Sequence, residues 1–233
     1  MYCEGYIYSG ILEYMGFDFD IIYIVIVIGV VLVSMTFHEA MHAYASYWLG
    51  DDTAKLHGRL TINPIKHIDP FLTILLPLLL AISGGPIFGA AKPVPFNPQN
   101  LRWDEWGAAL VALAGPVTNL VLAFIIFGLS VIIGNPVNFY IAPEGIVGLI
   151  LSVGVMVNLG FFIFNMIPIP PLDGSRILYA LAPEFVKRGM EAMEQFGIII
   201  VFALIILAGP AFSTLLTVVM MFFLQIFGSI FGL

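Results

Sequence analysis

The sequence predicts an all-α polytopic membrane protein, about five or six transmembrane helices packed as one bundle, and three observations predict it. Of the 233 residues, 61% are hydrophobic and only 10% are charged. Soluble domains are about 45–50% apolar and about 25% charged, so a soluble chain of this size could not hide so much apolar surface. The apolar residues also fall in long uncharged runs, and a bilayer crossing needs roughly 20 residues. Between the runs lie Gly, Pro and charge, with no internal repeat and no linker to a soluble domain. The same numbers exclude disorder, which requires low hydrophobicity and high charge. Eight Lys plus Arg against fifteen acids, a net charge of −7, exclude a nucleic-acid partner. Cys3, the single cysteine, leaves no internal disulfide and no thiolate-rich metal site.

Taken in order, residues 1–20 carry Glu4, Glu13, Asp18 and Asp20 and no Lys or Arg, so they lack the basic start of a signal peptide. Their scattered Tyr, Phe, Ile and Leu read as a segment lying at the membrane interface. Ile21 to Phe37 is uncharged throughout and continues through HEAMHAYASYWLG to Gly50. Its apolar residues surround a helix on every face, which places it inside lipid or protein. Gly50, Asp51 and Asp52 supply the stop. Phe71 to Ile82 contains Pro77 and is short for a span, more typical of a re-entrant or buried segment. It leads into SGGPIFGAAKPVPFNPQN at 83–100, too rich in Gly and Pro for a regular helix. Within it, FGAAKPVPF at 88–96 suits an edge strand, where proline is tolerated. Gly107 to Gly134, which includes AGPVTN at 114–119, and Ile146 to Ile167 are the next two spans. PIPPLDG at 168–174 ends the latter, and a short helix from Ser175 to Leu181 follows. Phe196 to Leu233 is apolar but interrupted at Gly209-Pro210, which permits two spans or one kinked helix.

The basic residues sort the loops. All eight lie in three of them: Lys55, Arg59 and Lys66; Lys92 and Arg102; Arg176, Lys187 and Arg188. The positive-inside rule puts these loops in the cytoplasm, and the N-terminus and the 135–145 loop outside. The segment between the first two loops must then cross an even number of times, either dipping in and returning or crossing twice.

The chemistry concentrates at His38-Glu39-Ala40-Met41-His42, an HExxH sequence. On a helix, residues i and i+4 share a face, so two imidazoles converge on one metal, with the glutamate close enough to reach a water on it. A hydrolytic zinc site has three protein ligands and one position for water. Ionisable residues inside an apolar helix are costly and usually functional. Candidates for the third ligand are His57, His67, Asp51, Asp52, Asp69 and Asp173. Asp51 and Asp52 lie about two turns beyond His42 on the same helix and cannot fold back. His57 and His67 would require the adjoining polar loop to fold inward. Asp173 follows a proline break, where backbone is held open inside protein, but Asp also commonly caps a helix such as the one from Ser175. Topology favours the ligand reading. With an even crossing between 67 and 97, the 107–134 helix runs outward and the 146–167 helix returns, bringing Asp173 to the side of His38 and His42.

These motifs together resemble the site-2 protease family of intramembrane zinc metalloproteases. HEAMH matches its HExxH, AGPVTN its small-residue motif, and NMIPIPPLDG at 165–174 its Asn-x-x-Pro-x-x-Pro-x-Asp-Gly motif. The resemblance implies a three-helix catalytic core over 21–182, flanked by the interfacial segment 1–20 and C-terminal helices over 183–233. It implies one zinc per chain on His38, His42 and Asp173, Glu39 as the base that activates water, and Asn165 as a group that holds substrate or transition state. It likens 88–96 to the family's re-entrant element and 58–70 to a subgroup with an additional membrane segment. It also implies a transmembrane protein as substrate, in the plasma membrane with the site toward the cytoplasm. No PDZ or nucleotide-binding insert is read in the chain, so regulation by one is not expected. Two other readings compete. A prenyl-protein-type membrane zinc protease would take a later glutamate as third ligand: Glu105, Glu144, Glu184, Glu191 or Glu194. A non-enzymatic metal-binding protein or transporter would show inverted repeats or a chain of intramembrane carboxylates.

Overall fold

The structure, a computed structural model, describes residues 21–70, 75, 92–207 and 209–233. The interfacial segment 1–20 and most of the 68–97 stretch lie outside the described residues, as does the question of whether that stretch dips or crosses twice. Helix α1 spans Ile21–Trp48, α2 Thr53–Leu56, α3 Asp104–Ile132, α4 Gly145–Asn165, α5 Asp173–Leu181, α6 Glu184–Glu194, α7 Gly197–Leu207 and α8 Gly209–Phe231. Among the described residues every regular element is helical, and the chain is a multi-pass membrane protein. Among the described residues, four helices are long and apolar enough to cross a bilayer: α1, α3, α4 and the Ser213–Phe231 part of α8.

Several elements differ from the sequence reading at their ends. α3 starts three residues before Gly107 because Asp104 and Glu105 join its first turn, where carboxylates oppose the positive end of the helix dipole. α5 starts at Asp173 rather than Ser175, and Leu172 occupies the capping position with no side-chain cap. In the C-terminal apolar stretch Gly197–Leu207 and Gly209–Phe231 are helical, and residue 208 between them lies outside the described residues, as does the choice between two spans and one kinked helix. Residues 92–97 form no strand. Pro93 and Pro95 have no N–H, and the neighbouring amides bond elsewhere: Lys92 N–H to His67 O (3.0 Å), Val94 N–H to Glu39 Oε2 (2.9 Å) and Asn97 N–H to Asp51 Oδ2 (2.7 Å).

α3 is the central helix, packing against α1, α4, α5 and α8. α1 meets α4 through Val27, Val31, Leu149 and Val153. α3, α4 and α8 meet through Ala123, Phe127, Val155, Leu159 and Phe227, ringed by Phe124, Phe223 and Phe231. In lipid such contacts gain dispersion energy rather than hydrophobic transfer energy, so close fit decides their strength. The arrangement also sets the depth of the HExxH helix. Trp48, Trp103 and Trp106 are exposed, and Arg102 N–H donates to Leu49 O at 2.8 Å, tying the end of α1 to the start of α3. Exposed tryptophans gather at membrane–water interfaces. His42 and His38 then lie about 9 Å and about 15 Å along α1 from that level, at 1.5 Å per residue.

Candidate metal centre and active site

His38 and His42 project from one face of α1 into a buried space between α3 and α5. Their Nε2 atoms are 3.0 Å apart. Asp173 Oδ2, from the first turn of α5, lies 3.2 Å from His38 Nε2 and 3.4 Å from His42 Nε2. The turns that deliver it are local. After α4 ends, Leu172 N–H donates to Ile169 O and Ser175 Oγ donates to Leu172 O, so the chain reverses within a few residues and starts α5 against α3.

The chemistry of these three atoms fits a cation. His42 Nδ1 lies 2.8 Å from Val111 O. A carbonyl only accepts, so Nδ1 carries the hydrogen and Nε2 presents a lone pair. Asp173 Oδ2 is buried and makes no hydrogen bond; it faces the two Nε2 atoms, and where these present lone pairs a cation is what offsets its burial. Space is reserved beside it. A Cβ added at Gly115 of α3 would come within 2.6 Å of His42 Cε1 and 2.7 Å of His38 Cε1. Gly115 thus cuts a notch in α3 that admits both imidazoles. Two imidazoles and one carboxylate are a donor set suited to zinc.

Glu39, on the neighbouring face of α1, is half-buried, and the Val94 N–H bond holds its Oε2. The strap 92–97 is itself fixed by Asp51. That carboxylate accepts from Thr53 N–H, Thr53 Oγ1 and Asn100 Nδ2 through Oδ1, and from Asn97 N–H through Oδ2. Burial pushes its pKa up, but these bonds outweigh burial and hold it below the usual carboxylate value.

The other candidate ligands stand apart. Among the described residues, His38, His42 and Asp173 form the one group of such side chains close enough to share an ion. His57 bonds Thr53 O in an exposed turn, His67 bonds Thr61 O, and Asp52 is exposed. Glu105 pairs with Lys187, Glu194 with Arg176, Glu184 with Arg188 and Glu191 with Tyr179, while Glu144 is exposed. None of these glutamates joins the group. Asn165 is the last residue of α4, and its Nδ2 donates to Phe161 O at 3.0 Å.

The sequence profile of peptidase family M50 matches residues 25–206, a span that contains all of these groups. The chain belongs to peptidase family M50. Three of its relatives carry the name "Putative zinc metalloprotease". YwhC of Bacillus subtilis is 43% identical over 177 residues, covering 75% of this chain and 77% of its own. Rip2 of Mycolicibacterium smegmatis is 34% identical over 198 residues, covering 84% and 70%. MJ0611 of Methanocaldococcus jannaschii, similarly named, is 35% identical over 105 residues, covering 45% and 50%. No solved structure matches the chain significantly.

Two groups beside this M50 site were not singled out by sequence reasoning. Asn119, quoted only as the end of AGPVTN, is fully buried against His38, and Asn158 of α4 is buried behind it. An asparagine in the middle of the Ile146–Ile167 apolar run was the available signal, because polar residues at that depth rarely lack a partner or a purpose. The Val94 contact with Glu39 had no sequence signal.

Proposed function

We propose that this M50 peptidase is a zinc-dependent intramembrane endopeptidase that hydrolyses peptide bonds in transmembrane or membrane-proximal segments. The observation that carries the proposal is the convergence of His38 Nε2, His42 Nε2 and Asp173 Oδ2 inside apolar helices. These three residues hold the zinc in this reading, which agrees with the names of the relatives. Bound there, zinc supplies a Lewis acid that activates water and polarises the scissile carbonyl. Glu39 does the proton work. Val94 N–H orients its carboxylate through Oε2. The other oxygen takes a proton from the attacking water as the C–O bond forms, then delivers it to the leaving nitrogen as the C–N bond breaks.

A helical substrate shields its own scissile carbonyl and must unwind locally, which exposes amides that lipid cannot satisfy. The strap 92–97 lies against Glu39 and suits this need in one direction. Its Lys92, Val94 and Asn97 amides are already donated, and Pro93 and Pro95 have none. It therefore offers an unwound segment mainly carbonyls, which accept from substrate N–H groups. Asn165, with one amide hydrogen given to Phe161 O, keeps a second to offer the substrate or the tetrahedral oxyanion. The three basic loops and the exposed tryptophans support a site open to the cytoplasmic side, and the membrane in this reading is the plasma membrane. The polar loops at 51–70 and 92–106 then form the walls through which water enters.

The test is cleavage of a transmembrane peptide by the purified full chain in proteoliposomes. A chelator should stop it and zinc should restore it. Glu39→Gln should keep its zinc and lose about 10²–10⁴-fold in rate. Cleavage by Glu39→Gln at the wild-type rate would remove Glu39 from its role.

A further inference from the structure

We infer that Asn158, which touches no proposed ligand, acts through Asn119 to fix His38 in the tautomer able to bind metal. The inference rests on the metal site proposed above and adds a positioning residue to it. Asn158 Nδ2 donates to Gly154 O at 2.8 Å and to Ser34 Oγ at 2.9 Å. Gly154 O is a carbonyl and only accepts, so the orientation of the Asn158 amide is settled and its Oδ1 is an acceptor. Asn119 Nδ2 donates to that Oδ1 at 2.8 Å and to Ser34 O, a second carbonyl, at 3.4 Å. Asn119 Oδ1 must therefore face His38 Nδ1, 2.6 Å away. An amide oxygen only accepts, so His38 Nδ1 carries the hydrogen and Nε2 is left with the lone pair that a metal needs.

Without Asn158 the Asn119 amide keeps only its long 3.4 Å contact with Ser34 O to hold its orientation. The Asn119 amide could then turn over and donate to His38 Nδ1, which would shift the imidazole hydrogen to Nε2 and close the ligand atom. With Asn158 in place that flip sets Asn119 Oδ1 against Asn158 Oδ1 and Ser34 O, three acceptors with no hydrogen between them. Ser34, Asn119 and Asn158 come from α1, α3 and α4, and all three are nearly inaccessible. The relay thus links the packing of the three helices to one nitrogen of the site.

Zinc affinity of the full chain in detergent, measured by competition with a chelator, tests this. Partners behind a metal-bound histidine typically change affinity about 10–100-fold. Asn158→Leu should bind zinc about tenfold more weakly and alter the visible spectrum of the cobalt(II)-loaded protein. Adding Asn119→Asp to Asn158→Leu should restore affinity, because a carboxylate only accepts and selects the same tautomer unaided. A purely structural role predicts the opposite, since a second buried change would weaken the protein further. Should Asn158→Leu fail to fold, Asn158→Ser, too short to reach Asn119, carries the same prediction. Wild-type affinity in Asn158→Leu or Asn158→Ser would overturn the relay, as would a double variant no better than the single. His38→Ala is the control for the site itself: it should lose zinc, and zinc retained there would overturn the ligand set rather than the relay.

Discussion

Two stretches of α3, a few turns apart, solve opposite packing problems with the same device. Near Gly115 the helix gives up a side chain so that two imidazoles can approach; near Gly128 it does so for an aromatic ring, since a Cβ there would lie 2.6 Å from Phe231 Cζ. The first notch is lined by His38, His42, Asn119 and Asp173, the second by Phe127, Phe227 and Phe231. In lipid the aromatic corner is held by fit alone, because the tails outside are as apolar as the rings inside. The polar corner has hydrogen bonds between helices, but such bonds average only about 0.6 kcal/mol and reach about 1.7 at most in membrane proteins. That is a small return for burying two asparagines, two histidines and a carboxylate. In the proposed function the polar corner serves chemistry and the aromatic corner cohesion.

Substitutions that separate the two properties sharpen the contrast. The largest effect is expected from Gly115→Val, whose side chain would occupy the imidazoles' space. Metal analysis should fall from about one zinc per chain to nearly none, with cleavage abolished. Gly128→Val should leave zinc in place and lower the melting temperature. If both glycine variants lost zinc equally, the two corners would not be distinct. Next comes Phe127→Ala, which strips a ring from the aromatic corner. In water-soluble cores this costs about 3–5 kcal/mol, and less here because lipid is the reference solvent. Thermal melting should shift, while zinc affinity should not.

Asp51→Asn ranks third, at about 1–3 kcal/mol for the loss of charge-assisted bonds. Its signature is in pH. The Asp51 pKa is lowered on folding, so its stabilisation is full above the unfolded value of about 3.9 and disappears as pH falls through the lower folded value. The acid limb of a stability–pH curve should therefore be flatter in Asp51→Asn than in the wild type. The smallest effect is expected from Lys187→Ala, which removes the pair with Glu105. A partly exposed ion pair is worth about 0–1 kcal/mol. A shift near that of Phe127→Ala would mean that the α3–α6 ion pair carries as much of the fold as a ring of the aromatic corner.

The sequence and the structure part company along the same line. The convergence of His38, His42 and Asp173 was legible because charge is rare in this chain and because i,i+4 spacing and a proline break have only a few geometric outcomes. The spans were legible because apolar length alone defines them. Asn119 and Asn158 were visible as letters but not as a relay, since their meaning depends on how α1, α3 and α4 rotate against one another. Asp51 was weighed as a metal ligand. In the structure it clamps the strap that holds Glu39, a contact made across a loop whose path no local pattern dictates. Asn165 was read from motif resemblance alone, and in the structure it bonds its own helix at Phe161 O.

The most direct test of the central claim is X-ray absorption spectroscopy at the zinc edge on the purified full chain. One zinc per chain is predicted, with a shell of two imidazole nitrogens and carboxylate oxygen at about 2.0–2.2 Å and no sulfur. Asp173→Asn should weaken binding and change that shell. A chain without zinc at neutral pH, or a shell lacking imidazole, would contradict the account.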